Sequence, residues 1–344
     1  MNPNFKKKTV VFIIPSLSPG GAERVFCFLS QNLSLEKFNT ELIVIGSAKD
    51  TSYAVENVPI TYLNKNRVRQ AIPQLFSLLA KKKPDFVLSS IAHLNVIMGL
   101  FSYLFSNINF IIRPSNIENE NENFISQYYY RGIYKIVCQS HDMANNFRKK
   151  YKVARNKIII IGNPITNFEH IQPKESYRTP KKFITVGRLN KIKGHSRIIS
   201  ILSKLQADFH YTLVGDGPEL NELFRLAETL QIRDKITHIP FTKNVNMHLK
   251  ESDLFLQGSY SEGFPNAALE SCSVGVPVLA FDVPGGTKEI IDNYKNGFLA
   301  KTEEDFLNFI KSKTKWNNLS VQSTVANKFS SKNILKKYEQ LLSS

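Results

Sequence analysis

The chain has 344 residues, of which 42% are hydrophobic, 22% charged and 11% aromatic, a globular composition that excludes the disordered, collagen-like and fibrous classes. At roughly 100–200 residues per domain, that length fits two domains. The 45 Lys and Arg against 29 Asp and Glu leave a net charge of +16, which fits an anionic partner such as nucleic acid, a membrane surface or a phosphorylated substrate.

The first residues read as lysines followed by an apolar run that Pro15 interrupts, with no small-residue cleavage site beyond it. This predicts a buried strand and not a secretory signal. Apolar, β-branched runs at 9–14 (TVVFII), 40–45, 86–89, 110–112, 135–139 and 157–161 predict short strands, and helical periodicity at 22–34, 70–82 and 143–151 predicts helices between them. Residues 86–112 contain no Asp, Glu, Lys or Arg, long enough to raise the question of a transmembrane helix. Recurring Ser, Asn and His divide that stretch into strand, helix and strand, which reads as a buried β-α-β segment. Residues 167–182 are polar, carry two prolines and lack periodicity, as a domain boundary does. Beyond them, strands are predicted at 183–186, 210–214, 235–238, 254–257, 277–280 and 297–299, and helices at 196–206, 218–230, 267–273 and 304–314. The tail, 331–342, is a short amphipathic helix. Strands alternating with helices imply parallel sheets, hence an α/β protein with two Rossmann-like domains, 1–166 and 167–328, and a closing helix in 329–344. Residues 1–166 hold 21 basic and 10 acidic side chains, so the first domain is the more electropositive.

The cysteines Cys27, Cys138 and Cys272 lie far apart with no CxxC pair, which argues against a disulfide framework or structural zinc and fits a reducing compartment. There is no GxxxxGK[ST], which removes P-loop chemistry. Gly215-Asp-Gly217 follows a strand but lacks the third glycine of a dinucleotide fingerprint, and reads as a tight turn. Gly20-Gly21, between a strand and a helix, would let backbone N–H groups approach an anion. Arg188 lies just beyond a buried strand, where open α/β sheets place ligands, and Lys193 follows five residues later; a guanidinium fork and a point charge together suit a diphosphate. In Ser261-Glu262-Gly263-Phe264-Pro265-Asn266-Ala267-Ala268-Leu269-Glu270, Gly263 permits a sharp turn into a helix whose first N–H groups are unpaired, and both carboxylates reach the same mouth, where each can accept two hydrogen bonds from vicinal hydroxyls. Pro284-Gly285-Gly286 makes a second strand-to-helix turn toward the same crevice.

These residues resemble the retaining glycosyltransferases of family four. The likeness rests on Arg188 and Lys193, Glu262 and Glu270 with seven residues between, GFPNAALES, GVPVLA, PGGTKEII followed by NGFLA, and the opening PSLSPGGAER. The resemblance implies a GT-B fold, two Rossmann-like domains facing each other across a cleft, with the C-terminal helix crossing back to the N-terminal domain. It implies a nucleotide-sugar donor, UDP-linked, as a substrate with no cofactor and no metal, since Arg188 and Lys193 hold the diphosphate. Glu270 would hold the ribose, and Glu262 with the backbone of Gly263, Phe264, Pro265 and Asn266 the donor sugar. Leu269 completes that stretch, Phe241 marks the base, and Gly20 and Gly21 line the pocket.

The acceptor half is less legible. His93 is the candidate beside the anomeric carbon, with a satisfied core histidine as the alternative. Arg113, with Asn116 as companion, would bind an acceptor phosphate, while Ser140 caps the helix that His141 begins. Basic residues Lys65, Arg67, Arg69, Lys81, Lys82 and Lys83 bracket AIPQLFSLLA, and with 146–157 they predict peripheral binding to an anionic membrane from the cytoplasmic side, on the inner face of the plasma membrane. No zinc, RNP or helix-turn-helix signature supports nucleic acid as the partner. The implied reaction moves a sugar onto a saccharide or lipid-linked saccharide in surface polysaccharide biosynthesis. The alternatives are a non-catalytic GT-B partner subunit that binds nucleotide or glycan, and a UDP-sugar epimerase.

Overall fold

The computed structural model describes residues 6–18, 20–51, 53–115, 128–166, 175–176, 182–312 and 314–344. Asn116 and most of the polar stretch 167–182 lie outside the described residues. The chain forms two units, one of Met1–Pro164 with Ser331–Ser344, the other of Ile165–Ser330.

The first unit runs β1 (Lys8–Ile14), α1 (Gly21–Asn32), β2 (Phe38–Val44), β3 (Ile60–Tyr62), α2 (Ile72–Lys82), β4 (Phe86–Ser90), α3 (Ala92–Leu104), β5 (Asn109–Arg113), β6 (Lys135–Cys138), α4 (His141–Tyr151) and β7 (Ile158–Ile160). Its seven strands pair in parallel in the order β3-β2-β1-β4-β5-β6-β7. β1 is an unbroken run of Val, Phe and Ile because it is central and buried on both faces. One face packs on Leu75, Leu79, Leu94, Met98 and Phe101 of α2 and α3. The other packs on α1 and on the last helix of the chain, whose Ile334, Tyr338 and Leu342 recur at helical spacing and join Val10, Phe12 and Ile14. Lys8 Nζ donates to the Leu342 carbonyl at 3.0 Å, and Glu339 Oε1 accepts the Ser34 N–H at 3.1 Å. The uncharged stretch 86–112 is therefore β4, α3 and β5. Among the described residues no helix is long and apolar enough to cross a membrane. Against the expectation of a wholly buried segment, the outer face of α3 is exposed.

The second unit runs β8 (Glu175–Ser176), β9 (Lys182–Val186), α5 (His195–Leu202), β10 (His210–Val214), α6 (Leu220–Thr229), β11 (Ile236–Ile239), α7 (Val245–Lys250), β12 (Leu254–Gln257), α8 (Asn266–Ser273), β13 (Val278–Phe281), α9 (Thr287–Ile290), β14 (Gly297–Ala300), α10 (Glu303–Lys311), β15 (Trp316–Asn317) and α11 (Asn318–Ala326); the closing helix of the first unit is then α12 (Ser331–Ser343). Six strands pair in parallel as β11-β10-β9-β12-β13-β14, and β8 and β15 form a small antiparallel pair. The strand order reverses between β1 and β4 in one unit and between β9 and β12 in the other. Beyond the carboxyl ends of such neighbours the connecting loops part and leave a crevice, which is where an open parallel sheet binds ligands.

Candidate functional site

In the second unit the reversal brings together the loops after β9 and β12. The Asn190 side chain accepts the Lys193 N–H at 3.3 Å and so caps the short turn Lys191–Lys193. Gly194 then adopts φ +61 and meets Gly258 backbone to backbone; a Cβ on Gly194 would lie 2.0 Å from the Gly258 carbonyl oxygen. Only glycine permits that approach. Tyr260 N–H donates to the Ile192 carbonyl at 2.9 Å and closes the pairing of the loops. The result is an ion pair, with Lys193 Nζ 2.6 Å from Glu262 Oε1. The same oxygen accepts the Ser259 hydroxyl at 2.6 Å. Glu262 is 8% exposed, and a carboxylate so far from water needs such partners.

The second turn supports the first from behind. Glu262 N–H donates to the Pro284 carbonyl and Gly286 N–H to the Glu262 carbonyl, each at 3.2 Å. Gln257, at the end of β12, donates from Nε2 to Thr287 Oγ1 at 2.9 Å. Gly285 sits at φ +127, and a Cβ there would lie 1.5 Å from the Glu262 carbonyl oxygen. α8 opens at Asn266 immediately beyond, with Glu270 half-buried one turn inside it. Gly263 and Pro265 are buried in the turn, while Phe264 packs edge-on against Phe329 at 5.4 Å. Phe264 and Leu269 bury their side chains in the core of the second unit.

Arg188 is exposed at the end of β9, and its loop is held from two sides. Leu189 N–H donates to the Asp216 carbonyl at 2.9 Å and Glu219 N–H to the Leu189 carbonyl at 3.1 Å, so the Gly215–Gly217 turn is the seat of the Arg188 loop. Asp216 Oδ2 also accepts the Phe241 N–H at 2.8 Å, which fixes Phe241 beyond β11 with its ring 53% exposed. A cavity of about 510 Å³ adjoins, lined by Asn190, Lys191, Ile192, Pro218, Glu219 and Glu222.

On the other side, His195 Nε2 lies 3.1 Å from the Arg188 carbonyl. A carbonyl oxygen only accepts, so the proton is on Nε2. Burial pushes the imidazole down to about 4, with the nearby Lys193 charge adding to the effect; the hydrogen bond to Arg188 and the Glu262 charge oppose it. His195 is therefore neutral in the fold. The unfolded chain binds its proton first as pH falls, so stability is lost below the ordinary value of 6.5. Acidifying from about pH 7.5 to pH 5 is expected to cost about 2 kcal/mol through this group. Urea unfolding followed by the fluorescence of Trp316, the single tryptophan, reads this out. His195→Gln should lose that part of the pH slope, and an unchanged slope would clear His195 of it.

In the first unit the reversal places Gly20 and Gly21 after β1 and His93 after β4. The Tyr53 hydroxyl accepts the Gly20 N–H at 3.3 Å and donates to the Gly20 carbonyl at 3.2 Å. Glu23 follows in the first turn of α1; burial pushes its carboxyl up, and a hydrogen bond from its own backbone and the Arg113 charge partly offset this. His93 is exposed in the first turn of α3 and not a core histidine. It follows Ile91 at φ +77, a β-branched residue in the left-handed region. Such strain costs on the order of 1–3 kcal/mol and gathers at functional sites. Asn95 is instead buried, accepting from Ser89 Oγ at 2.8 Å. Arg113 corrects another expectation. It is buried, donates to the Asn163 side chain, and lies beside Tyr338 of α12, so it braces the interior and does not meet an acceptor phosphate. Ser140 caps α4 by accepting the Met143 N–H at 3.1 Å.

Sequence reasoning missed Ser259, His195, Asn190 and Tyr53. Asn190 and Ser259 each act on a residue three positions away, Lys193 and Glu262, and His195 adjoins Lys193-Gly194, whereas Tyr53 reaches Gly20 only through the fold.

Residues 166–318 match the family model described as glycosyl transferases group 1. Over 313 residues the chain is 28% identical to an uncharacterized glycosyltransferase of Haemophilus influenzae, covering 86% of each chain. It is 26% identical over 326 residues, 87% of each chain, to the Campylobacter jejuni N-acetylgalactosamine-N,N'-diacetylbacillosaminyl-diphospho-undecaprenol 4-alpha-N-acetylgalactosaminyltransferase. In fold it is similar to the Anabaena protein HepE, solved in complex with UDP-glucose, at a TM-score of 0.79 and 16% identity over 98% of this chain and 99% of that one.

Proposed function

We propose that the chain is a glycosyltransferase of the group 1, family-four type and that it moves a sugar from a UDP-sugar to a lipid-linked saccharide in bacterial surface polysaccharide biosynthesis, with retention of anomeric configuration and no divalent metal, at the inner face of the plasma membrane. The observation that carries this reading is the Lys193–Glu262 pair, 2.6 Å apart, with Arg188 on the neighbouring turn and all three beyond the carboxyl ends of β9 and β12. The UDP-glucose held by HepE and the diphospho-undecaprenol in the name of the Campylobacter relative support the donor and acceptor classes.

The chemistry follows from charge. Breaking the bond between the anomeric carbon and the diphosphate oxygen leaves negative charge on the diphosphate. Arg188 and Lys193, fixed in advance by Asn190, His195 and the two paired glycines, stabilise that charge more in the transition state than in the ground state. They supply what a divalent ion would otherwise supply. Glu270 accepts from the ribose hydroxyls, Glu262 and the N–H groups at the start of α8 hold the sugar, and the exposed Phe241 ring lies against the base.

Calorimetric titration with UDP, and with GDP as comparator, tests this without added metal. UDP is expected to bind, and Glu270→Ala to weaken it by at least about tenfold through loss of a charge-assisted pair of hydrogen bonds. Binding of neither nucleotide, or equal binding by the variant, would overturn the donor site. Preference for GDP would overturn the UDP assignment.

A further inference from the structure

The uncharged stretch 86–112 is explained for its strands, which are buried on both faces, and for half of its helix. On α3, Leu94, Met98 and Phe101 face the core. Val96 and Ile97 pack partly against the same core, and beyond them the outer face presents Leu100, Tyr103 and Leu104 at three- and four-residue spacing, positions where a helix of a water-soluble domain carries charge. Leu100 is 49% exposed, Tyr103 55% and Leu104 65%. Phe76 of α2, 43% exposed, extends the stripe, its ring 5.9 Å from Phe101 and 5.0 Å from Phe105. Single exposed apolar residues are ordinary, but a contiguous set marks a contact surface.

The surroundings decide the partner. Residues 65–107 hold six basic side chains and one acidic. The acid, Asp85, accepts the Thr9 N–H. Arg67 and Arg69 precede α2, and Lys81, Lys82 and Lys83 end it, all exposed, with Lys82 paired to Glu41 of β2. Tyr103 donates to the Tyr128 carbonyl at 2.5 Å, and Arg131 lies 4.2 Å over the Tyr128 ring, so this edge pairs aromatic rings with a cation. A second copy of the chain would bring one cationic rim against another. An anionic bilayer offers apolar tails to the stripe, an interface to the tyrosines and phosphate charge to the rim.

We infer that the outer face of α3, with Phe76 of α2, lies in the surface of an anionic phospholipid bilayer and holds the enzyme there. The inference rests on the reading that the enzyme works at a membrane and is independent of which donor it uses.

Co-sedimentation of the full chain with vesicles tests it, using phosphatidylcholine alone and phosphatidylcholine mixed with phosphatidylglycerol. The parent is expected to partition onto the mixed vesicles and to be released by salt. Leu100→Ser with Leu104→Ser should lower that partition about tenfold or more, as expected for removing two apolar side chains from the interface. UDP binding by that variant should match the parent, which also shows that it is folded. The inference is overturned if the parent binds neither vesicle or both equally, or if the serine variant partitions like the parent. It is equally overturned if sedimentation velocity finds a parent dimer that the serine variant abolishes, which would make the stripe a self-interface. Failure of UDP binding by the parent would count against the proposed reaction and leave the vesicle result standing.

Discussion

Lys193→Ala is expected to lower kcat by roughly 10²–10³, the usual cost of deleting one fixed donor to developing charge. The substitution does two things at once. It removes a cation from the proposed diphosphate site, and it leaves Glu262, 8% exposed, with Ser259 as its remaining partner among the contacts described. Isolating a buried carboxylate is costly, but Lys193 is itself partly in water, so a stability loss of about 1–3 kcal/mol is expected. The two effects separate in the double variant Lys193→Ala with Glu262→Gln. Neutralising the carboxylate should recover the denaturation midpoint and leave turnover low. Steady-state turnover with whichever nucleotide-sugar supports activity of the parent, beside urea midpoints, makes the comparison. A kcat within a few fold of the parent would remove Lys193 from the mechanism.

Gly285→Ala should be nearly as damaging without touching a charged group. The new methyl would lie 1.5 Å from the Glu262 carbonyl oxygen, at a backbone φ of +127. Neither side can yield cheaply, because both atoms belong to backbone held by the Glu262–Pro284 and Gly286–Glu262 hydrogen bonds. The turn that carries Glu262 must shift by an ångström or more, and misplacement on that scale costs about 10² in rate. The strained φ adds about 1–3 kcal/mol of instability. We expect near-native circular dichroism with kcat/KM down about a hundredfold. Parent-like kcat/KM would mean that the Pro284–Gly286 turn does not set the position of Glu262.

The strands were legible because parallel strands buried on both faces read as apolar runs, as in residues 10–14 of β1, 86–88 of β4 and 254–256 of β12. β3 was not, being three half-buried residues at the sheet edge. α7 is only six residues, and α11 (NLSVQSTVA) mixes small polar residues among its apolar ones, so neither shows a clear period. In the site, the charged members were visible because cations and carboxylates just past strand ends have few structural reasons to be there. Their support was invisible. Lys193 meets Glu262 across 69 residues of sequence, where Gly194 and Gly258 let the two loops touch. Arg113 misled for a related reason. Its strand-end position points toward a mouth, but Asn163 and the helix bearing Tyr338 enclose it, and nothing near residue 113 announces either.

The same helix sets a constraint on how the chain can be made. α12 supplies Ile334, Tyr338 and Leu342 to the core that also holds Val10, Phe12 and Ile14. During synthesis the strands of the first unit emerge long before that helix exists, while every residue of the second unit precedes it. The second unit can therefore complete its fold while the first still waits with part of one sheet face, beside α1, uncovered. Order of completion runs opposite to order of emergence, and for the intervening time that apolar face depends on transient cover or on a chaperone.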